Sequence, residues 1–230
     1  MQLRAHFLQP PLLPRVAPFL VFIALTFCQG CFGEAAGYWL YLAKTVVGGW
    51  MLWVVYPVVE EMRWNLSWEA AVVGVAMAGM WVGLDDLLVF LGFPDSYPKM
   101  KLSGTGWNPS AQFGHGAGLA WFFIVVRIAG SSLVVPLLEE VFFRSFLYRY
   151  VARADFLSVR LGSFAWQPFL LASVIFGLEH REWLAGILCG FAYQGLVCWK
   201  KRLGDAITAH SITNLLLGLW VVWQGAWQFW

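Results

Sequence analysis

The chain has 230 residues, of which 60% are hydrophobic and only 12% charged, with a mean hydropathy of +0.66. A soluble domain ordinarily carries about 25% charged residues, so this chain lacks the polar groups to cover a globule in water. An ordinary soluble enzyme and a disordered protein are excluded. A net charge of +2 gives no basic field to hold a polyanion, which argues against nucleic acid as a partner. Fifteen Trp and nineteen Phe suit lipid interfaces and packed apolar helices, so a bilayer is the natural solvent.

Apolar runs long enough to span recur from residue 16 onward. They read as Val16–Gly33, Trp39–Val59, Ala70–Gly92, Gly118–Leu138, Phe164–Gly177, Trp183–Trp199 and Ala206–Trp223. Helices are expected, because backbone groups in lipid must satisfy one another and nothing alternates with the period of a barrel strand. The expected fold is an all-α polytopic membrane protein with about seven or eight transmembrane helices in one bundle around a polar cavity. It forms a single integral membrane domain over residues 1–230, interrupted by a Pro- and Gly-rich loop over 93–117. The first segment resembles a secretory signal, but a retained helix is the more economical reading in a polytopic chain. Trp220, Trp223, Trp227 and Trp230 fall on one helical stripe, read as an interfacial anchor or packing face. Cys28 and Cys31 make a C-x-x-C spacing with no second pair or nearby His, and plain apolar packing is expected of them.

Basic residues alternate with the segments. Arg4 and Arg15, then Arg63, then Arg144, Arg149, Arg153 and Arg160, then Lys200, Lys201 and Arg202 fit one side, which the positive-inside rule makes the cytoplasm. Lys99 and Lys101 on the other side weaken the contrast without reversing it. The N-terminus is expected inside and the C-terminus outside.

Ionisable residues within membrane segments are costly and are therefore functional candidates. In Leu138-Glu139-Glu140-Val141-Phe142-Phe143-Arg144, adjacent Glu side chains diverge by about 100° on a helix. Glu140 and Arg144 are i,i+4 neighbours that can pair, which leaves Glu139 as the candidate base. Pro136 deprives the Ser132 carbonyl of its helix bond and predicts a kink beside the charges. The bland alternative is an interfacial salt bridge ending a helix. His180 closes the fifth run and shares a face with Phe176; a lone His at a helix end is more often interfacial. His210 and Asn214 align on one face of the last segment, either for chemistry or as a hydrogen bond joining helices. Asp85 and Asp86 suggest an interface or a wet lining, with no mechanism attached. Glu60-Glu61, with no arginine at i+4, reads as a solvated turn. His6 and His115 fall in a tail and a flexible loop, and no serine has triad partners at a recognisable spacing.

Taken in order, Glu-Glu-x-x-x-Arg (Glu139, Glu140, Arg144), Phe-x-x-x-His (Phe176, His180) and His-x-x-x-Asn (His210, Asn214) resemble the CPBP family. These are CAAX-processing and bacteriocin-processing intramembrane proteases, related to the Ras-converting CAAX endopeptidase. The resemblance covers a core of about 134–219. The Trp-rich tail and the His180-Arg181-Glu182-Trp183 turn look similar to a bacterial subset linked with exosortase-type protein sorting.

The resemblance implies a membrane-embedded endopeptidase, placed in a bacterial inner membrane, acting on a protein or peptide substrate. Glu139 and His180 would activate water, His210 and Asn214 would form an oxyanion hole, and Glu140 with Arg144 would position the site. No cofactor is then needed. Glu139, His180 and His210 are also a plausible zinc set with one position left for water. As straight rods, the segments put Glu139 and His210 near the cytoplasmic side and His180 near the other. A working site therefore needs a tilted or internally ending fifth segment, or a fourth helix extended through Tyr150. Two other classes compete: a non-enzymatic immunity or scaffold protein on the same fold, and a transporter or haem-binding protein using His180 and His210.

Overall fold

The computed structural model describes residues 11–29, 32–93 and 107–230, and among these it is helical with no strand. We number the helices α1 (Leu13–Gln29), α2 (Glu34–Val55), α3 (Trp68–Phe90), α4 (Pro109–Phe113), α5 (Gly118–Ala152), α6 (Trp166–Leu178), α7 (Trp183–Lys200) and α8 (Gly204–Gln224). Each expected membrane segment corresponds to one of them. Helices α3, α5 and α8 are long and apolar enough to cross a membrane, and α1 and α6 are shorter apolar helices. Much of their surface is exposed Trp, Leu, Val and Phe, as a lipid-facing protein requires. Most of 93–106 lies outside the described residues, as do Cys31, Lys99, Lys101 and His6; within 107–117 the expected loop contains α4, started by Pro109 after the Asn108 cap.

Helix α5 departs from the expected fourth segment. It continues past Leu138 to Ala152, 35 residues in all. At about 1.5 Å per residue it runs to roughly 52 Å, so Glu139 and Glu140 sit well inside it. The helix is not uniform. Gly130–Val134 and Val141–Leu147 are in π conformation, and the carboxylate pair ends the short α stretch Val135–Glu140 between them. Such π segments are rare and recur at functional sites.

The chain divides into two compact units. The first comprises residues 1–60, 103–139 and 214–230; the second comprises 61–102 and 140–213. In the first, α1 and α2 pack as a hairpin and α2 lies on the start of α5. The α2–α5 approach depends on glycine. A Cβ at Gly48 would stand 3.1 Å from Val134, and one at Gly130 would stand 2.8 Å from the Thr45 hydroxyl. The C-terminal tryptophans do not form one stripe. Helix α8 ends at Gln224, Gly225 turns the chain with φ +64°, and Trp227–Phe229 is a 3-10 turn that brings Trp230 onto Trp107 and Trp227.

In the second unit α6 and α7 are the closest pair. A Cβ at Gly177 would fall 2.5 Å from the Ile187 backbone nitrogen, and one at Gly190 2.8 Å from the Ser173 carbonyl. Small residues let these backbones meet, the usual solution where lipid supplies no hydrophobic drive between helices. One end of the unit gathers the basic loops. Lys200 pairs with Glu69 at 2.7 Å, Arg202 with Asp205, and Lys201 donates to the Gly162 carbonyl. The Asp205 carboxylate also holds Arg202, in the loop, above its ordinary pKa. Glu61 belongs to this end as well. Contrary to the solvated turn expected of Glu60-Glu61, Glu61 is 13% exposed, pairs with Arg149 at 3.0 Å and accepts from the Ser145 hydroxyl. A partner 88 residues away cannot be found from i,i+4 spacing.

Candidate active site

In the second unit five of the seven residues singled out by sequence come together. Glu140 is fully buried and is held from both sides: Arg144 Nε lies 3.1 Å from Oε2, and His210 Nδ1 lies 3.0 Å from Oε1. The expected i,i+4 pair therefore forms. Arg144 is not one of the basic residues that decide topology, because it is 1% exposed. Its guanidinium lies 4.1 Å from the centre of the Phe176 ring and Nη2 donates to the Gly190 carbonyl at 3.4 Å, so cation–π contact and a backbone acceptor replace water around the charge.

Phe176 is the hub of this cluster. The ring of His180 lies 5.0 Å from it and that of His210 5.7 Å. The straight-rod separation of the two histidines is thus overturned. Helix α6 has only 13 residues, about 20 Å at 1.5 Å per residue, and so delivers His180 short of a full crossing. His180 Nδ1 lies 2.8 Å from the Phe176 carbonyl and its ring meets Trp81 edge to face.

Both histidines are oriented alike. A backbone carbonyl only accepts, so His180 Nδ1 carries the proton. The Glu140 carboxylate, charge-paired with Arg144, accepts from His210 Nδ1 in the same way. Each ring therefore presents Nε2 to whatever it serves, as a lone pair in the neutral form. Second partners of this kind fix tautomer and ring angle in catalytic and metal-binding histidines alike.

Tyr193, which sequence reasoning missed, completes the setting of His210. Its ring stacks on the imidazole at 5.0 Å and 19°. Its hydroxyl donates to Thr213 at 2.8 Å, and Thr213 in turn donates to the Gly74 and Ala209 carbonyls. Nothing in a tyrosine within an apolar run marks such a role. Glu179 was also passed over; its carboxylate oxygen and an imidazole nitrogen of His180 lie within 4.8 Å of one another.

The first unit holds the other two residues. Glu139, 8% exposed, follows Leu138 on α5. Asn214, one turn beyond His210 on α8, donates Nδ2 to the Ser131 carbonyl at 2.8 Å. The Ser131 carbonyl thus takes its hydrogen bond from a side chain. Val135 N–H bonds the Gly130 carbonyl in π register, so the next donor in line for Ser131 is position 136, a proline without an N–H. The Asn side chain supplies the missing donor and keeps its second N–H for another acceptor. Asp85 is half-buried and Asp86 exposed, near the C-terminal end of α3.

Apolar helices carrying buried Glu140, Arg144 and His210 and half-buried His180 define an integral membrane protein with an internal ionisable site. Residues 119–216 match the family model described as Rce1-like, type II CAAX prenyl endopeptidase Rce1-like. The matched segment is similar to the CAAX-protease family that the three motifs resemble, and it contains all of them. Neither curated proteins nor solved structures give a match.

Proposed function

We propose that the chain hydrolyses a peptide bond of a membrane-associated protein or peptide with water activated by Glu139 and His180. Glu139 takes the proton of the water as its oxygen attacks the scissile carbonyl, and the same proton then passes to the leaving nitrogen. His180 accepts a hydrogen bond from that water through Nε2. His210 and Asn214 donate to the developing oxyanion, Asn214 with the N–H that Ser131 does not use. Donation by His210 Nε2 uses the ring with a proton on both nitrogens. Donors held in place in a dry site are worth about 10²–10³ in rate each. Glu140 and Arg144 position His210 and do not touch the substrate.

The observation that carries this reading is the fixed orientation of two histidines, His210 buried and His180 half-buried, within the matched segment. The same observation keeps zinc in play, because two Nε2 lone pairs suit that ion. Glu139, His180 and His210 would hold it, and when bound it supplies Lewis acidity to water. A metal-free mechanism is the reading adopted. Placement in a bacterial inner membrane with the N-terminus inside is part of the proposal, supported by the basic residues gathered at one end of the second unit. So is a link to an exosortase-type sorting system.

The test is cleavage of candidate peptides by the purified full chain in detergent, with wild type, Glu139→Gln and His180→Ala run with and without a chelator. Loss of cleavage in both variants, with wild type indifferent to the chelator, is the expected result. Loss on chelation and recovery with zinc would replace it by the zinc mechanism. Cleavage by Glu139→Gln at the wild-type rate would overturn the assignment and leave a scaffold or immunity role.

A further inference from the structure

The first unit contains a second polar cluster, remote in sequence from the residues above and unused by them. Lys44 on α2 is 4% exposed, and its Nζ donates to the Thr26 hydroxyl at 2.9 Å. The ammonium lies 4.9 Å from the centre of the Phe22 ring and 4.8 Å from that of Tyr41. Arg127 on α5 lies 4.6 Å from the same Tyr41 ring, 5.1 Å from Trp107 and 5.9 Å from Trp230. Two cations thus share one buried tyrosine. Among the described residues no carboxylate pairs with either.

That arrangement is incomplete. Like charges repel, and aromatic faces compensate a desolvated cation only in part. A third donor adds to this: the Trp107 indole Nε1 is buried with no hydrogen-bond partner among the described residues. An ammonium with one neutral acceptor, a guanidinium and an unanswered indole N–H, all gathered around Tyr41, make a donor set with no anion among the described residues. Buried polar groups are normally satisfied, and this set asks for an anion.

We propose that Lys44, Arg127 and Trp107 bind the phosphate of an anionic phospholipid. A lipid is favoured over a free ion by what flanks the cluster. Val46 and Trp50 on α2, and Val125 on α5, are each about 60% exposed on the outward faces of the two helices that carry the cations, so these helices meet acyl chains. Basic pockets between transmembrane helices are sites that take anionic head groups.

The experiment uses the full chain in detergent, as wild type, as Lys44→Gln/Arg127→Gln, and as the charge-conserving Arg127→Lys. Native mass spectrometry counts retained lipid, and thermal unfolding is followed while phosphatidylglycerol, phosphatidylcholine or inorganic phosphate is added. The expected result is one phosphatidylglycerol per wild-type chain and a rise in Tm that phosphatidylcholine and inorganic phosphate do not reproduce. Affinity should fall at least tenfold in the double variant and stay within about threefold in Arg127→Lys. An equal response to phosphatidylcholine, an equal response to inorganic phosphate, or unchanged binding by a folded double variant would each overturn the proposal. If the double variant does not fold, the three-way comparison on wild type decides alone. Cleavage is not a readout, so the outcome is independent of the protease assignment.

Discussion

Glu140 Oε1 lies 3.0 Å from His210 Nδ1 while Oε2 of the same carboxylate faces Arg144 Nε at 3.1 Å, so one buried anion sets both a histidine tautomer and a guanidinium. Removing one partner of such a pair strands the other charge, at a cost of about 3–5 kcal/mol, whereas replacing both with apolar groups of like volume is often near neutral. Glu140→Gln is therefore expected to lower the unfolding temperature markedly. Glu140→Gln/Arg144→Met is expected to recover most of that loss without recovering cleavage, since His210 stays unoriented. Thermal unfolding and peptide cleavage on the same preparations separate the two effects. A double variant less stable than Glu140→Gln would show that the ion pair is not what holds this region.

Tyr193 offers a finer test of the orientation of His210. The ring stacks on the imidazole and the hydroxyl ties that ring to Thr213. Tyr193→Phe keeps the stacking and leaves Thr213 its donations to Gly74 and Ala209. It should cost about 0.5–1.5 kcal/mol in stability, the net worth of one hydrogen bond. Tyr193→Leu removes the stack and should lower the cleavage rate about 10–100-fold, as losses of orienting partners do. A structural role alone would move Tm and leave the rate per folded molecule unchanged in both.

The chemistry-bearing residues were legible because lipid makes every ionisable side chain conspicuous. Glu139, Glu140, Arg144, His180, His210 and Asn214 stand out from apolar runs, and the Glu140–Arg144 pairing follows from helical spacing alone. What depended on helix register did not follow. A π segment shifts each backbone bond by one residue, so Pro136 also stands opposite the Ser131 carbonyl, which Asn214 serves. Helix length was the second blind spot. Hydropathy ended the fourth segment at Leu138 because Glu139 and Glu140 are charged, whereas the helix continues, with Glu140 held by Arg144 and His210. Partners distant in sequence were the third. Glu61 reads as a loop residue until Ser145 and Arg149 reach it.

Glu61 and Arg149 carry a prediction of their own. Ser145 donates to Glu61 and lies in the same π segment as Arg144, while Arg149 binds both Ser145 and Glu61. The ion pair thus fastens the end of α5 one turn beyond Arg144. Glu61→Gln retains the acceptor for Ser145 but loses the charge opposite a buried guanidinium. It should destabilise by about 1–3 kcal/mol, within the range of buried groups left short of a partner. Cleavage measured below the unfolding transition should fall far less than in Glu140→Gln, because Glu61 holds the helix and not His210. Equal rate losses in the two variants would place Glu61 in the active site.

The Ser131 carbonyl is satisfied by Asn214 only because Pro136 cannot do so, and this makes the two residues thermodynamically coupled. Asn214→Ala strands a carbonyl and should cost about 1–3 kcal/mol. In Pro136→Ala the new N–H at position 136 can bond to Ser131 in π register, so Asn214→Ala should be nearly neutral for stability in that background. A double-mutant cycle on unfolding free energy then gives a coupling within the 0.5–3 kcal/mol expected of groups that share a partner, whereas additive losses would mean that Ser131 has another donor. Cleavage is the second readout. If Asn214 also donates to the oxyanion through its other N–H, Pro136→Ala restores the fold of the Asn214→Ala variant and leaves its rate about 10²–10³ below that of the Pro136→Ala parent. A rate that recovers together with stability would confine Asn214 to holding the π segment.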